Sequence, residues 1–121
     1  MKNMKSNIVK EKTYQFALLI IQLYKELSDK KEFVLSKQLL RSGTSVGANV
    51  EEATAAQSKK EFISKMSVAS KEARETHYWL RLLKDSNVYS GICLTEAIDE
   101  VETLIKLLTS IVKTSQASIN S

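Results

Sequence analysis

Glu72, Arg74 and Glu75 crowd two carboxylates and a guanidinium together, and Arg41, Asn49 and Glu51 lie in an earlier helical stretch that could face them. An enzyme could use Glu72, Glu75 and Arg74 in a pocket, which would require a concave site and an anomalous titration. A plainer reading is preferred. Asn49 falls on an apolar seam, where a polar residue tends to fix register or oligomer state at a cost in stability. Glu72 and Glu75 flank the seam of a later helix, within reach of its neighbour or of another subunit. Asn49, Glu72 and Glu75 are therefore expected to form a packing or interface polar network.

Other chemistries find no footing. His77 is the only histidine and Arg74 stands three residues before it, so the Glu-x-x-His pairs of a di-iron bundle are missing. Glu51, Glu72 and Glu75 could meet, but carboxylates beside arginine are more often ion-paired than metal-bound. Ser42 and Ser45 carry no signature of an activated nucleophile, and as mid-helix residues they are expected to bond back to a carbonyl. Cys93 at a helix start could have a lowered pKa, yet its apolar flanks suggest inert core. His77 beside Tyr78 and Trp79 could stack on a base, though half-buried packing is the simpler role. Gly43 and Gly47 lie inside a helix, so there is no phosphate loop. No catalytic, cofactor-binding or metal-ligating residue is assigned, no cofactor is expected, and the chain is expected not to be an enzyme.

Cations are the remaining chemistry. Lys37, Arg41, Lys59, Lys60, Lys65, Lys71, Arg74, Arg81 and Lys84 all fall on two consecutive helical stretches, with Tyr78 and Trp79 between them. Clustered cations bind phosphates with an affinity that falls steeply with salt, whereas scattered ones merely solvate a helix face. Lys37, Arg41, Arg74 and Arg81 are the expected nucleic-acid contacts. The formal net charge is +4, and Lys2, Lys5, Lys10 and Lys12 against Glu11 place +3 of it in residues 1–12. The remainder is nearly neutral, so a globally basic surface is excluded, although a symmetric assembly would multiply any local patch.

The elements that would carry these residues read as four helices. Helix one spans about 8–29, with Phe16, Ile20, Leu23 and Leu27 as one stripe and Ala17, Ile21 and Tyr24 beside it. Lys30–Phe33 is a short charged link that sends helix two (34–57) back antiparallel. Its seam, Leu35, Leu39, Ser42, Val46, Asn49, Ala53 and Ala56, is four-three spaced and mostly small. Each interior glycine forgoes about 1 kcal/mol relative to alanine, and close approach of a neighbouring backbone is the expected return. Ser58 and Glu61 form S-x-x-E, a capping box that opens helix three (59–85). Phe62, Met66, Ala69, Ala73, Thr76, Leu80 and Leu83 form its seam, its small members expected opposite the Ser/Gly part of helix two. A loop around Asn87 and Gly91 leads to helix four (92–114), with the seam Leu94, Ile98, Val101, Ile105, Leu108 and Val112 and with Leu104 and Ile111 alongside. Tails 1–7 and 115–121 are expected to be disordered. Short links and long helices predict an all-α, antiparallel up-down-up-down four-helix bundle, left-handed, in a single domain over 1–121.

The composition agrees with that class. The 121 residues are 43% hydrophobic and 26% charged, with three glycines and no proline. Cys93 is the only cysteine, which excludes an intramolecular disulfide and makes a reducing compartment the default. The apolar run Phe16–Ile21 is too short to span a bilayer and no cleavage site follows it. A cytoplasmic protein without membrane contact is expected.

The run from Arg41 to Ala53, RSGTSVGANVEEA, resembles the bacterial four helix bundle protein family, also called 23S rRNA-intervening sequence proteins. Lys60-Glu61-Phe62, Ala69 to Thr76, Tyr78 to Leu83, Leu104 to Leu108 and Ile111-Val112-Lys113 fit the same pattern, so the resemblance covers about residues 10–115. It implies an up-down bundle assembled as a homopentamer around a central opening. The accessory proteins of diversity-generating retroelements are similar in fold and bind nucleic acid and a reverse transcriptase through a positively charged surface. This chain departs from them in being nearly neutral outside its N-terminus. The resemblance implies no catalytic residue. Two functions follow as expectations: a homo-oligomeric bundle that binds structured RNA or DNA, or a scaffold that docks a partner protein without nucleic acid.

Overall fold

The computed structural model of the chain describes the backbone of residues 4–120 and the side chains of 6–119. Four helices fill it: α1 Met4–Asp29, α2 Leu35–Thr54, α3 Lys59–Asp85 and α4 Ile92–Asn120. Each packs on the next in chain order and α1 also packs on α4, which closes a square. Cross-helix contacts fix α2 and α3, and α3 and α4, as antiparallel. Arg41 meets Glu75 while Glu52 meets Lys65, and Arg74 meets Thr109 while His77 meets Glu102. This is the expected up-down-up-down bundle.

One core runs through the square. It takes Val9, Phe16, Ile20, Leu23 and Leu27 from α1 and the whole expected seam of α3, Phe62 to Leu83. Each fully buried large side chain contributes about 1.5–3 kcal/mol by leaving water. On α4 the buried row is Leu94, Ala97, Val101, Leu104, Leu108 and Ile111. Ile98, Ile105 and Val112, expected on that seam, are only half-buried beside it.

Helix ends depart from expectation for local reasons. α2 stops at Thr54 rather than 57. Ser58 is extended (φ −140°, ψ 159°) and accepts from the Glu61 N–H at 3.1 Å, so α2 must finish first, and the Ala55 and Ala56 N–H groups close its last turn with i→i+3 bonds. The Glu61 carboxylate accepts from the Gln57 N–H at 3.1 Å, a capping box displaced by one residue. α2 begins on Glu32, whose carboxylate accepts from the Val34, Leu35 and Ser36 N–H groups at 2.7–3.1 Å. Residues 4–7, expected as tail, are helical because Ser6 and Val9 are buried in the bundle. Residues 115–120, also expected as tail, continue α4, and Lys59 Nζ donates to Ser118 Oγ at 2.6 Å. The expected tail positions 1–3 and 121 lie outside the described residues.

Both glycines of α2 face α1, not α3. A Cβ on Gly47 would lie 3.2 Å from the Thr13 carbonyl oxygen, and one on Gly43 would lie 2.8 Å from both γ carbons of Ile20. Close approach of α1 is thus what the missing side chains permit. Opposite the core, α1 exposes Tyr14, Leu18 and Ile21 at i, i+4 and i+7, so the apolar stripe that includes Ile21 wraps further round the helix than the core requires.

Candidate nucleic-acid interface

The α2–α3 seam holds the polar network. Arg41 Nη1 donates to Glu72 Oε2 at 3.3 Å, and its Nη2 donates to Glu75 Oε2. Trp79 Nε1 donates to the same Glu75 oxygen at 3.0 Å. The indole N–H, then Arg41, hold the Glu75 carboxyl below the usual carboxylate range. The Glu75 and Glu72 carboxylates in turn raise Arg41 above its already high value. One turn inward, Thr76 Oγ1 donates to Ser42 Oγ at 2.9 Å in the buried part of the seam. Lys65 and Glu52 close the far end at 2.7 Å.

Arg41, Glu72 and Glu75 are therefore brought together, with Trp79, read from the sequence as aromatic area among the cations, as a fourth member. Asn49 is not part of the cluster. Its Nδ2 donates to the Ser45 carbonyl at 2.9 Å and to Ser45 Oγ at 3.1 Å, within its own helix. Its expected seam position is taken by Val50, which is buried. A straight helix drifts about 20° per heptad from a 3.5-residue row, so the seam passes from one row to the next along α2.

The four expected phosphate contacts do not form one patch. Lys37 is exposed on α2. Arg41 is committed to two carboxylates. Arg81 stands over the Tyr78 ring, 5.9 Å from its centroid. Arg74 reaches the other way, to α4, where its Nη2 donates to Thr109 Oγ1 at 3.1 Å.

The α3–α4 side carries cations that sequence reasoning passed over. Two adjoining clefts of about 260 and 480 Å³ share Arg74, Thr109 and Lys113, and Lys106 lines the larger. His77 Nε2 lies 3.1 Å from Glu102 Oε2 and bounds this region on one side. The signal was present in the sequence, because residues 103–121 contain Lys106 and Lys113 and no acid.

The remaining reactive groups are quiet. Burial pushes the Cys93 thiol up to about 11, consistent with inert core. Tyr89 donates to Glu26, and that hydrogen bond pushes its phenol up to about 12. Among the described residues no group of three metal-ligating side chains comes together, and no helix is long and apolar enough to cross a membrane.

Comparison with known proteins agrees with the fold. The family model described as 23S rRNA-intervening sequence protein matches residues 5–110. The chain is similar to a crystal structure of a protein with unknown function from the S23 ribosomal protein family of Bacteroides thetaiotaomicron. The two share 49% identity over 91% of this chain and 99% of that one, with a TM-score of 0.86. No curated protein matches.

Proposed function

The chain belongs to the 23S rRNA-intervening sequence protein family, and from that premise we propose that it is a non-enzymatic, homo-oligomeric bundle of the cytoplasm that binds structured RNA or DNA through a basic surface. The observation that carries this reading is the disposition of cations. Lys37, Arg74 and Arg81 are exposed, and none of them stands in an ion pair among the described residues. Their charge is available to a polyanion, and self-association would repeat it with the symmetry of the assembly. The family resemblance sets the pentamer as the expected state.

Absolute mass by light scattering at moderate salt tests the assembly. A mass near 68 kDa, five times 13.6 kDa, supports the pentamer and gives an assembly of about +20, five times +4. Fluorescence anisotropy with labelled RNA and DNA duplexes then tests binding. A single-chain mass removes the multiplied charge, and failure to bind duplex at low salt removes the nucleic-acid reading.

A second reading is favoured by the exposed Tyr14, Leu18 and Ile21 stripe on α1. In the first reading that stripe serves self-association; in the second it docks a partner protein and no nucleic acid is involved. Partner capture that does not weaken with salt favours the second.

A further inference from the structure

We infer that the groove between the middle of α3 and the C-terminal half of α4 binds the phosphodiester backbone of a nucleic acid, with Arg74, Lys106 and Lys113 as its phosphate contacts. This inference rests on the nucleic-acid reading and gives it a location. Two of its three residues lie outside the set expected from sequence.

Helical periodicity sorts the charges. Successive residues turn by about 100°, so Glu72 and Glu75 point to α2 while Arg74, between them in sequence, points to α4. Arg41 holds the two carboxylates on the far flank. Glu61, the remaining acid of the N-terminal half of α3, accepts from the Gln57 N–H. On α4 the last acid is Glu102, held against His77. Between Glu102 and the Lys59–Ser118 contact, the groove presents Arg74, Lys106 and Lys113, and no ion pair among the described residues engages any of them.

The shape suits a chain of phosphates rather than one. Lys106 and Lys113 stand seven residues apart, about 10.5 Å along the axis. That spans about three steps of a strand that carries one phosphate per 3.4 Å. Thr109 lies between them, and its bond to Arg74 sets the guanidinium over the middle of the row. Only one guanidinium N–H is spent there, and the planar fork that remains suits phosphate oxygens. Ser67, Ser70 and Thr109 line the same clefts, and hydroxyls are common donors to phosphate. No aromatic ring lines the clefts to read a base, so the contact is to backbone. Arg41 is excluded from the site, because two carboxylates leave its surroundings net negative.

The test compares the full chain with Arg74→Gln, Lys106→Gln, Lys113→Gln and their triple combination. A control removes three exposed cations elsewhere, Lys12, Lys25 and Lys30→Gln. Anisotropy with labelled 20-base-pair RNA and DNA duplexes is read from 50 to 200 mM salt, with circular dichroism and light scattering as checks on fold and mass. Each groove substitution is expected to weaken binding about tenfold at 50 mM, and the triple variant to flatten the log–log salt slope by about 2.7, three times 0.9. The control is expected to stay within about twofold of the parent chain. Equal losses in groove and control variants overturn the groove while leaving nucleic-acid binding in place. No binding by the parent chain at 50 mM overturns both. Binding of one duplex type alone identifies which nucleic acid occupies the site.

Discussion

Gly43→Ala decides whether α1 and α2 are in contact as described. The new Cβ would lie 2.8 Å from both γ carbons of Ile20 and 3.2 Å from its Cβ. Ile20 is fully buried and β-branched, so rotation about χ1 cannot clear both carbons. Overpacking of this kind costs about 1–3 kcal/mol, and the alanine returns about 1 kcal/mol of helix propensity. The net expectation is a loss of about 1 kcal/mol, the middle of a range of about 0–2 kcal/mol, or a urea midpoint lower by about 0.5 M for a slope near 2 kcal/mol/M. Circular dichroism at fixed protein concentration reads it, since assembly couples to stability. A double-mutant cycle makes the test specific. Ile20→Val keeps both γ carbons and should give Gly43→Ala no relief. Ile20→Ala removes them, and the added methyl then occupies part of the cavity, with a favourable coupling of about 1–2 kcal/mol. A stabilised Gly43→Ala chain, or equal coupling with valine and alanine at position 20, refutes the contact.

Other consequences are open to direct measurement. Ser58→Ala should cost about 1 kcal/mol by removing the α3 cap, read as a lower urea midpoint. Glu75 titrates below its ordinary value, so its interactions stabilise the fold above its unfolded pKa and are lost as pH falls through the folded one. The urea midpoint should fall with pH in that acid window, and Trp79→Phe should move the Glu75 carboxyl back toward its ordinary value in an NMR titration. Tyr89 behaves with the opposite sign: its contribution is present below about 10 and lost as pH rises through about 12. Ultraviolet titration should find Glu26→Gln returning the phenol toward 10. Cys93 should react with a thiol reagent near neutral pH only as fast as the bundle opens, because its thiol is buried and protonated there.

The helix count and the α3 core were legible because their pattern is clean. Every member of the row Phe62 to Leu83 is buried as its four-three spacing requires. On α4 the expected Leu94, Val101 and Leu108 are buried but Ile98, Ile105 and Val112 are not fully so, because Leu104, Ile105, Leu107, Leu108, Ile111 and Val112 are apolar nearly all round and periodicity cannot choose a face among them. Tail positions were misjudged from polarity alone. Ser6 is polar and buried, and residues 115–120 contain neither glycine nor proline to stop a helix. The facing of Gly43 and Gly47 was illegible, since a glycine carries no direction. Arg41 with Glu72 and Glu75 was half legible. Their types suggested ion pairs, but only the antiparallel register shows that Arg41 takes both carboxylates while Arg74 turns to the opposite seam.

The seams of the bundle differ in the room and the charge they would offer a ligand. Between α1 and α2, glycine brings backbone within contact of backbone, and no space remains for a guest. Between α2 and α3, the buried Ser42–Thr76 bond and the Arg41 and Lys65 ion pairs engage polar groups along the seam, with Glu72 Oε1 buried and unpartnered among them. A polyanion there would have to break pairs already formed and desolvate the carboxylates left behind. Between α3 and α4, polar cross-helix contacts among the described residues include the Lys59–Ser118, Arg74–Thr109 and His77–Glu102 pairs, and clefts open beside the middle one. No ion pair among the described residues engages the cations there, so a phosphate gains attraction without displacing a partner. The small residues of α2 and the paired acids of α3 thus act together: they close the α1–α2 and α2–α3 seams, and the unpaired cations of the α3–α4 seam face a cleft, whereas the α1–α4 cleft is lined by Glu11 and Glu100 beside Lys12.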